Sequence, residues 1–204
     1  MQTYIYLILT VLAAYIIGSF PTGFLLVKAV KGEDIRKIGS GSTGATNVKR
    51  VLGKKGFFSV MLIDALKGAL PVAAAKYLEV KLNIFPEMSI LPVLAAVAVI
   101  IGHSKSVFLN FTGGKSVASG VGTIFGLCFP VGLITAVIWL VLTYISRYVS
   151  FGSVIAVMLT VVWMYLFKQP LSYVLYCLIG GLYIVYLHRE NIKRLIAGTE
   201  NKVR

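Results

Sequence analysis

Apolar runs of membrane length recur along this chain, over residues 3–27, 57–78, 117–145, 151–167 and 171–187, with a shorter one over 88–102. A helix needs roughly 20 apolar residues to cross a bilayer. Inside the bilayer every backbone N–H and C=O must find a partner within the chain. The alternating ten-residue segments of a membrane β-barrel are missing. Hydrophobic residues make up 58% of the 204, more than a soluble domain carries. The expected fold is an all-α polytopic membrane protein, one integral-membrane domain over 1–204, without internal repeat, linker or low-complexity segment.

Charge sets the expected topology. The net charge is +13, from 20 Lys+Arg against 7 Asp+Glu. In a soluble protein that excess would point to nucleic acid. Here the basic residues cluster in loops, so the positive-inside rule explains them and no nucleic acid partner is expected. Lys28, Lys31, Arg36, Lys37, Lys49, Arg50, Lys54 and Lys55 mark 28–55 as cytoplasmic. Arg189, Lys193, Arg194, Lys202 and Arg204 mark the tail. No basic region precedes the first run, so no cleavable signal peptide is expected, and that run inserts with its N-terminus outside. An outside N-terminus and an inside C-terminus require an odd number of crossings. The 29 residues of 117–145 are therefore expected to split into two short helices near Phe129-Pro130, for seven transmembrane helices in all. Residues 31–56, 103–116, 145–150 and 188–204 then share the cytoplasmic side, and an external turn falls over 81–87. Pro21 should kink the first helix.

The polar motifs lie in those cytoplasmic loops. Residues 39–47 read GSGSTGATN, with Lys49 and Arg50 following. Their glycines allow close backbone approach, and Ser40, Ser42, Thr46, Asn47, Lys49 and Arg50 supply phosphate-binding groups. A flexible loop before a helix cap is the alternative reading. Residues 113–122 read GGKSVASGVG. Bare N–H groups of Gly113 and Gly114 at a helix start, beside Lys115 and Ser116, form an anion cradle. Its likeness to a nucleotide-binding P-loop fails, because Leu109 stands where that pattern requires glycine. Ser150 either caps the next helix or binds substrate. His188 and Asn191 share one face if the tail is helical, with Glu190 turned away. Asp64 and Lys67 are charges inside the second span. They either pair with each other at i, i+3, or Asp64 holds a basic group of the site. Cys128 and Cys177 read as packing residues. With His103 and His188 the only histidines and no clustered ligands, no metal or other cofactor is expected.

Together, GSFPTGFLLVK, GSGSTGATNVKRVLGKKG, DALKG, the GH…FTGGKSVA run, ISRYVSF and HRENIKRLIAGTENK resemble the bacterial acyl-phosphate:glycerol-3-phosphate acyltransferases over about residues 15–202. Two places depart from the family pattern: Ser42 replaces a more usual Asn, and Ser104-Lys105-Ser106 replaces a Phe-Pro-containing stretch. The resemblance implies an enzyme of the bacterial inner membrane, active at its cytoplasmic face. It transfers a fatty acyl group from acyl phosphate to the 1-hydroxyl of sn-glycerol 3-phosphate, giving lysophosphatidic acid and phosphate. It implies no acyl-CoA or acyl-carrier-protein donor. Ser40, Arg50, His188 and Asn191 would carry catalysis, Gly113 and Gly114 would bind glycerol 3-phosphate, and Glu190 would be structural. Lys115 and Arg50 would hold phosphates during direct attack, while Asn191 or Ser40 orients the hydroxyl or polarises the carbonyl. His188, His103 or a substrate phosphate oxygen would take the proton. The rival reading is a transporter or channel for a phosphorylated solute, against which stands the gathering of polar motifs on one face.

Overall fold

The computed structural model describes residues 2–84 and 88–203 as an all-helical bundle; the external turn expected over 81–87 falls partly outside them. The first run forms α1 (Gln2–Ser19) and α2 (Thr22–Lys31). The break is sharper than the expected kink. Pro21 sits at φ −90°, ψ 67°, outside helical space. The interruption leaves the Phe20 carbonyl to accept a hydrogen bond from Lys67 Nζ (2.7 Å). α2 runs to Lys31 and stops at Gly32, whose left-handed φ of 72° suits a residue without Cβ.

α3 spans Ala45–Lys81, but Gly53 (φ 65°, ψ −159°) divides it. Residues 45–52 are a separate short helix at the polar end of the bundle, and 54–81 form the long span. The expected loop over 28–55 is thus partly helical. Val27, Ile35, Val48 and Val60 bury together beneath it and tie the segment to α2 and α3. α4 (Ile90–Ser104) is capped from α3, as Leu91 N–H donates to the buried Glu79 carboxylate (2.8 Å). α5 (Val117–Leu127) and α6 (Phe129–Ser146) separate at Cys128, whose backbone is extended. Pro130 then falls in the first turn of α6, where its missing N–H is harmless. Gly132 presses on Phe125, so α6 folds back on α5 as a hairpin. Only α5, with 11 residues, is short; α6 has 18. α7 (Val149–Leu166) and α8 (Leu171–Leu187) complete the bundle, and α9 (Arg189–Ile196) bends 62° away from α8 at His188.

Among the described residues, Thr3–Lys31, Ala45–Lys81, Phe129–Ser146 and Val149–Leu166 are long and apolar enough to cross a membrane, and the bent α8–α9 pair makes a fifth candidate. α4 and α5 are apolar but shorter. Membrane helices gain little from burying apolar area against one another, so close backbone packing holds them together. Gly68 and Gly122 bring α3 and α5 into backbone contact, and Gly18 and Gly102 do so for α1 and α4. The outward faces carry Leu62, Leu70, Leu140 and Ile179, all exposed.

A cationic site where four chain segments converge

The 32–44 loop is shaped by Asn47. Its side chain is 2% exposed. Its amide N–H groups donate to the carbonyls of Ile35, Ile38 and Ser42 (2.9–3.3 Å). Its Oδ1 accepts the Ser40 N–H (3.2 Å). Expected as a phosphate ligand, Asn47 is instead the pin of the loop. Gly39, at φ 57°, lies against both Asn47 and the Arg50 guanidinium, where a Cβ would collide. Ser40, Thr46 and Arg50 are exposed at this edge, Lys49 is half-buried, and Ser42 Oγ accepts the Gly44 N–H (3.2 Å).

The second segment is the turn before α5. Ser116 adopts φ 60°, and its buried hydroxyl donates to the Ile100 carbonyl (3.0 Å). It therefore anchors the turn to α4, which removes its hydroxyl from the expected anion cradle. Gly114 N–H donates to the His103 carbonyl (3.1 Å). Lys115 Nζ donates to Asn191 Oδ1, linking this turn to α9. Burial lowers the Lys115 pKa. The positive charges of Arg194 and Arg50 lower it further, and Glu200 opposes them. Three cations near one carboxylate make a place where an anion relieves repulsion.

That carboxylate was not singled out in the sequence. Glu200 Oε1 accepts from Asn191 Nδ2 (2.6 Å) and Ser150 Oγ (2.8 Å), and Oε2 accepts from Arg194 Nε (2.7 Å). Its side chain is 8% exposed. Burial raises its pKa, but the bonds from Asn191, Arg194 and Ser150 outweigh burial and hold it below the usual value. Gly198, at φ 69°, turns the chain so that Glu200 folds back onto α9, and Val203 N–H reaches the Arg147 carbonyl (2.8 Å). Ser150 is thereby a tail contact. Glu190, expected to be the structural glutamate, is 57% exposed and makes only surface pairs with Lys193 and Arg189, which contribute little. The structural role belongs to Glu200.

His188 lies just beyond α8, buried, with Nδ1 2.8 Å from the Ile184 carbonyl. A carbonyl only accepts, so Nδ1 carries the proton and Nε2 of the neutral ring is left as an acceptor. Burial, opposed by the Ile184 bond and reinforced by Lys115, lowers its pKa to about 4. Beneath the turn, Asp64 Oδ1 meets Lys67 Nζ (2.8 Å) and accepts from Thr22 Oγ1 (2.9 Å). The local i, i+3 pair is the one that forms. A small recess beside it is lined by Thr22, Thr43, Asp64, Lys67, His103 and Ser106.

The fold and this site define a class: a polytopic helical membrane protein whose cationic loops meet at one end of the bundle. A sequence model of the glycerol-3-phosphate acyltransferase family matches residues 8–198. A glycerol-3-phosphate acyltransferase of Nostoc sp. (strain PCC 7120 / SAG 25.82 / UTEX 2576) is 47% identical, covering 95% of this chain and 90% of its own. That of Trichormus variabilis (strain ATCC 29413 / PCC 7937) is 45% identical at the same coverage. The crystal structure of PlsY (YgiH), an integral membrane glycerol 3-phosphate acyltransferase, in its glycerol 3-phosphate form superposes with a TM-score of 0.89. The two share 35% identity, over 97% of this chain and 96% of the other. The chain belongs to the glycerol-3-phosphate acyltransferase family and is a membrane-embedded acyltransferase.

Proposed function

We propose that this acyltransferase takes its acyl group from a long-chain acyl phosphate and places it on the 1-hydroxyl of sn-glycerol 3-phosphate, releasing inorganic phosphate and lysophosphatidic acid. The observation that carries this reading is the convergence of Arg50, Lys115, Asn191 and Glu200 from three distant chain segments at one end of the bundle. Both substrates carry phosphate, and the cations screen their repulsion. Acyl phosphate is a mixed anhydride with a good leaving group, so positioning and charge stabilisation suffice without a covalent intermediate. The attacking hydroxyl oxygen bonds the acyl carbon, the acyl–phosphate bond breaks, and the electron pair leaves on phosphate. Asn191 keeps one amide hydrogen beyond its Glu200 bond to orient the hydroxyl or carbonyl, and exposed Ser40 is the second group for that task. Seven crossings, an outside N-terminus and a cytoplasmic site at the bacterial inner membrane complete the reading. The α5–α6 hairpin supports that odd count.

The proton goes to a substrate phosphate oxygen. A phosphate monoester has its second pKa near 6, so its dianion is a stronger base than His188 at about 4. His188 Nε2 serves as a fixed acceptor. Because the base is the substrate's phosphate dianion and His188 stays neutral, kcat/KM should fall below about pH 6 with the substrate's own ionisation, and the same fall should persist in whatever activity His188→Ala retains; a pH–rate profile of both proteins checks this. His188→Ala protein that folds but loses both kcat, by about 10²-fold or more, and the fall in rate near pH 6 would restore His188 as base, since general-base catalysis contributes 10²–10⁴-fold. Stability follows the same pKa. The folded value lies below the unfolded 6.5, so this stability is full above pH 6.5 and is lost as pH falls toward 4. Two to three units correspond to roughly 3 kcal/mol.

The acyl chain is assigned in this reading to the apolar cleft beneath His188. This narrow, largely apolar cleft between α4, α5, α7 and α8 is lined by Ile100, Gly120, Val157, Tyr176, Gly180 and Ile184. Ile184 is the residue whose carbonyl holds His188. A Cβ on Gly180 would lie in van der Waals contact with Tyr176 and Ile100, at 3.6–3.8 Å. Projecting a larger side chain into this cleft with Gly180→Leu is expected to shift preference toward shorter acyl phosphates, by about tenfold in the kcat/KM ratio of long to short donors. Losing a few methylene contacts at about 0.8 kcal/mol each gives that size. A chain-length series checks it.

Purified protein in detergent, given labelled glycerol 3-phosphate with acyl phosphate, acyl-CoA or acyl-carrier protein, tests the function. Lysophosphatidic acid should form with acyl phosphate alone. Its formation from acyl-CoA, or solute uptake into liposomes without acyl transfer, would overturn the reading.

A further inference from the structure

We infer that His103 is a positioning residue that seats the Gly113–Gly114–Lys115 turn: its imidazole is fixed from behind by α3 and α5 and presents its other edge to Gly114. From behind, Nδ1 lies 3.1 Å from Ser119 Oγ and 3.9 Å from Asp64 Oδ1. Asp64 is itself locked by Thr22 and Lys67, and Lys67 by the Phe20 carbonyl at the α1–α2 break. The ring therefore has little freedom; the residue is 7% exposed. In front, a Cβ on Gly114 would collide with Nε2, and one on Gly113 would collide with the His103 carbonyl. That carbonyl accepts the Gly114 N–H (3.1 Å). The two glycines are thus laid flat on one residue, and Lys115 follows immediately with its ammonium at Asn191. This gives the buried Asp64–Lys67 pair a use: it stiffens the surface on which the phosphate-holding lysine is mounted. It also sets His103 apart from the proton transfer, because its Nε2 faces the turn.

The inference rests on the proposal that this turn grips the acceptor's phosphate. His103→Asn shortens the side chain, retains a polar group for Ser119, and vacates the space against Gly114. In purified protein whose melting temperature stays within a few degrees of wild type, it should raise KM for glycerol 3-phosphate about tenfold and change kcat by less than about threefold. Gly114→Ala should do the same by lifting the turn off the ring. In the double variant the methyl enters the vacated space, so the effects should fall well short of multiplying, as coupled neighbours do. An unchanged KM in His103→Asn, a loss in kcat alone, or multiplicative effects in the double would overturn it. A second readout needs no substrate. Labelling of Lys115 by an amine-reactive reagent, read by mass spectrometry on protein in detergent, should change several-fold in each single variant and no further in the double. Unchanged labelling in His103→Asn contradicts the seat. If wild type makes no lysophosphatidic acid yet labelling follows this pattern, the seat stands and the proposed substrates fail.

Discussion

Replacing Lys115 with methionine is expected to lower kcat/KM by about 10²- to 10³-fold, the usual effect of removing one preorganised group from a developing negative charge, while leaving the fold intact. Methionine keeps the length and apolar bulk of the half-buried stem. What disappears is the ammonium, which lies among Arg194 and Arg50, with Glu200 of opposite sign. Losing a cation from such a group relieves repulsion in the empty protein and offsets the lost bond to Asn191, so the melting temperature should hold within a few degrees. Loss of activity with retained stability marks a residue whose charge serves the ligand. Lys115→Arg should recover little, because a planar fork cannot take the place of a compact ammonium bonded to Asn191. Steady-state kinetics beside a thermal melt of each variant checks both halves. A large fall in melting temperature for Lys115→Met would assign the lysine to the fold instead.

Glu200→Ala is expected to do the opposite in stability and the same in activity. It leaves Asn191, Ser150 and Arg194 without their shared acceptor. Charge-assisted bonds contribute about 1.5–3 kcal/mol each when buried. Arg194 is 39% exposed and water will recover part of that bond, so a net loss of about 2–3 kcal/mol follows. Activity should fall below about 1% of wild type, because Asn191 is held toward Lys115 by the Glu200 bond. Glu190→Ala is the control, expected within about 0.5 kcal/mol as an exposed surface change. The pH dependence has the same origin. Glu200 has a folded pKa below its unfolded value, so its contribution is present above the unfolded pKa and is lost as pH falls through the folded one. Melting curves at neutral and acid pH should therefore converge for wild type and Glu200→Ala as the carboxylate protonates.

The bundle could be read from apolar run length because the bilayer imposes a length that sequence carries openly. The split of 117–145 could be read from parity and Pro130, and it occurs one residue before Phe129, at Cys128. The break at Phe20-Pro21 was under-read as a kink, since nothing local says that a lysine on another helix will take the freed carbonyl. The 45–52 helix was missed because Gly53 and the basic residues resemble a loop, whereas burial of Val48 against Val27 and Val60 makes that stretch helical. At the site, Lys115, Arg50 and Asn191 were visible as residue types suited to phosphate. Asn47 was visible for the wrong reason, because an Asn that pins backbone carbonyls and one that binds a ligand look alike in sequence. Glu200 escaped notice through its distance: only the turn at Gly198 brings it back onto Asn191 and Ser150. Glu190, nearer the histidine motif, drew the assignment that belongs ten residues later.

Direct attack is the central claim, and one measurement bears on it most directly. Purified protein in detergent is mixed with acyl phosphate labelled in the acyl chain, first without glycerol 3-phosphate, and quenched on the millisecond scale. Direct attack predicts no label on protein and no phosphate release until glycerol 3-phosphate is added, after which phosphate and lysophosphatidic acid appear one for one. A stoichiometric burst of phosphate without acceptor, with acyl label on the protein, would contradict it.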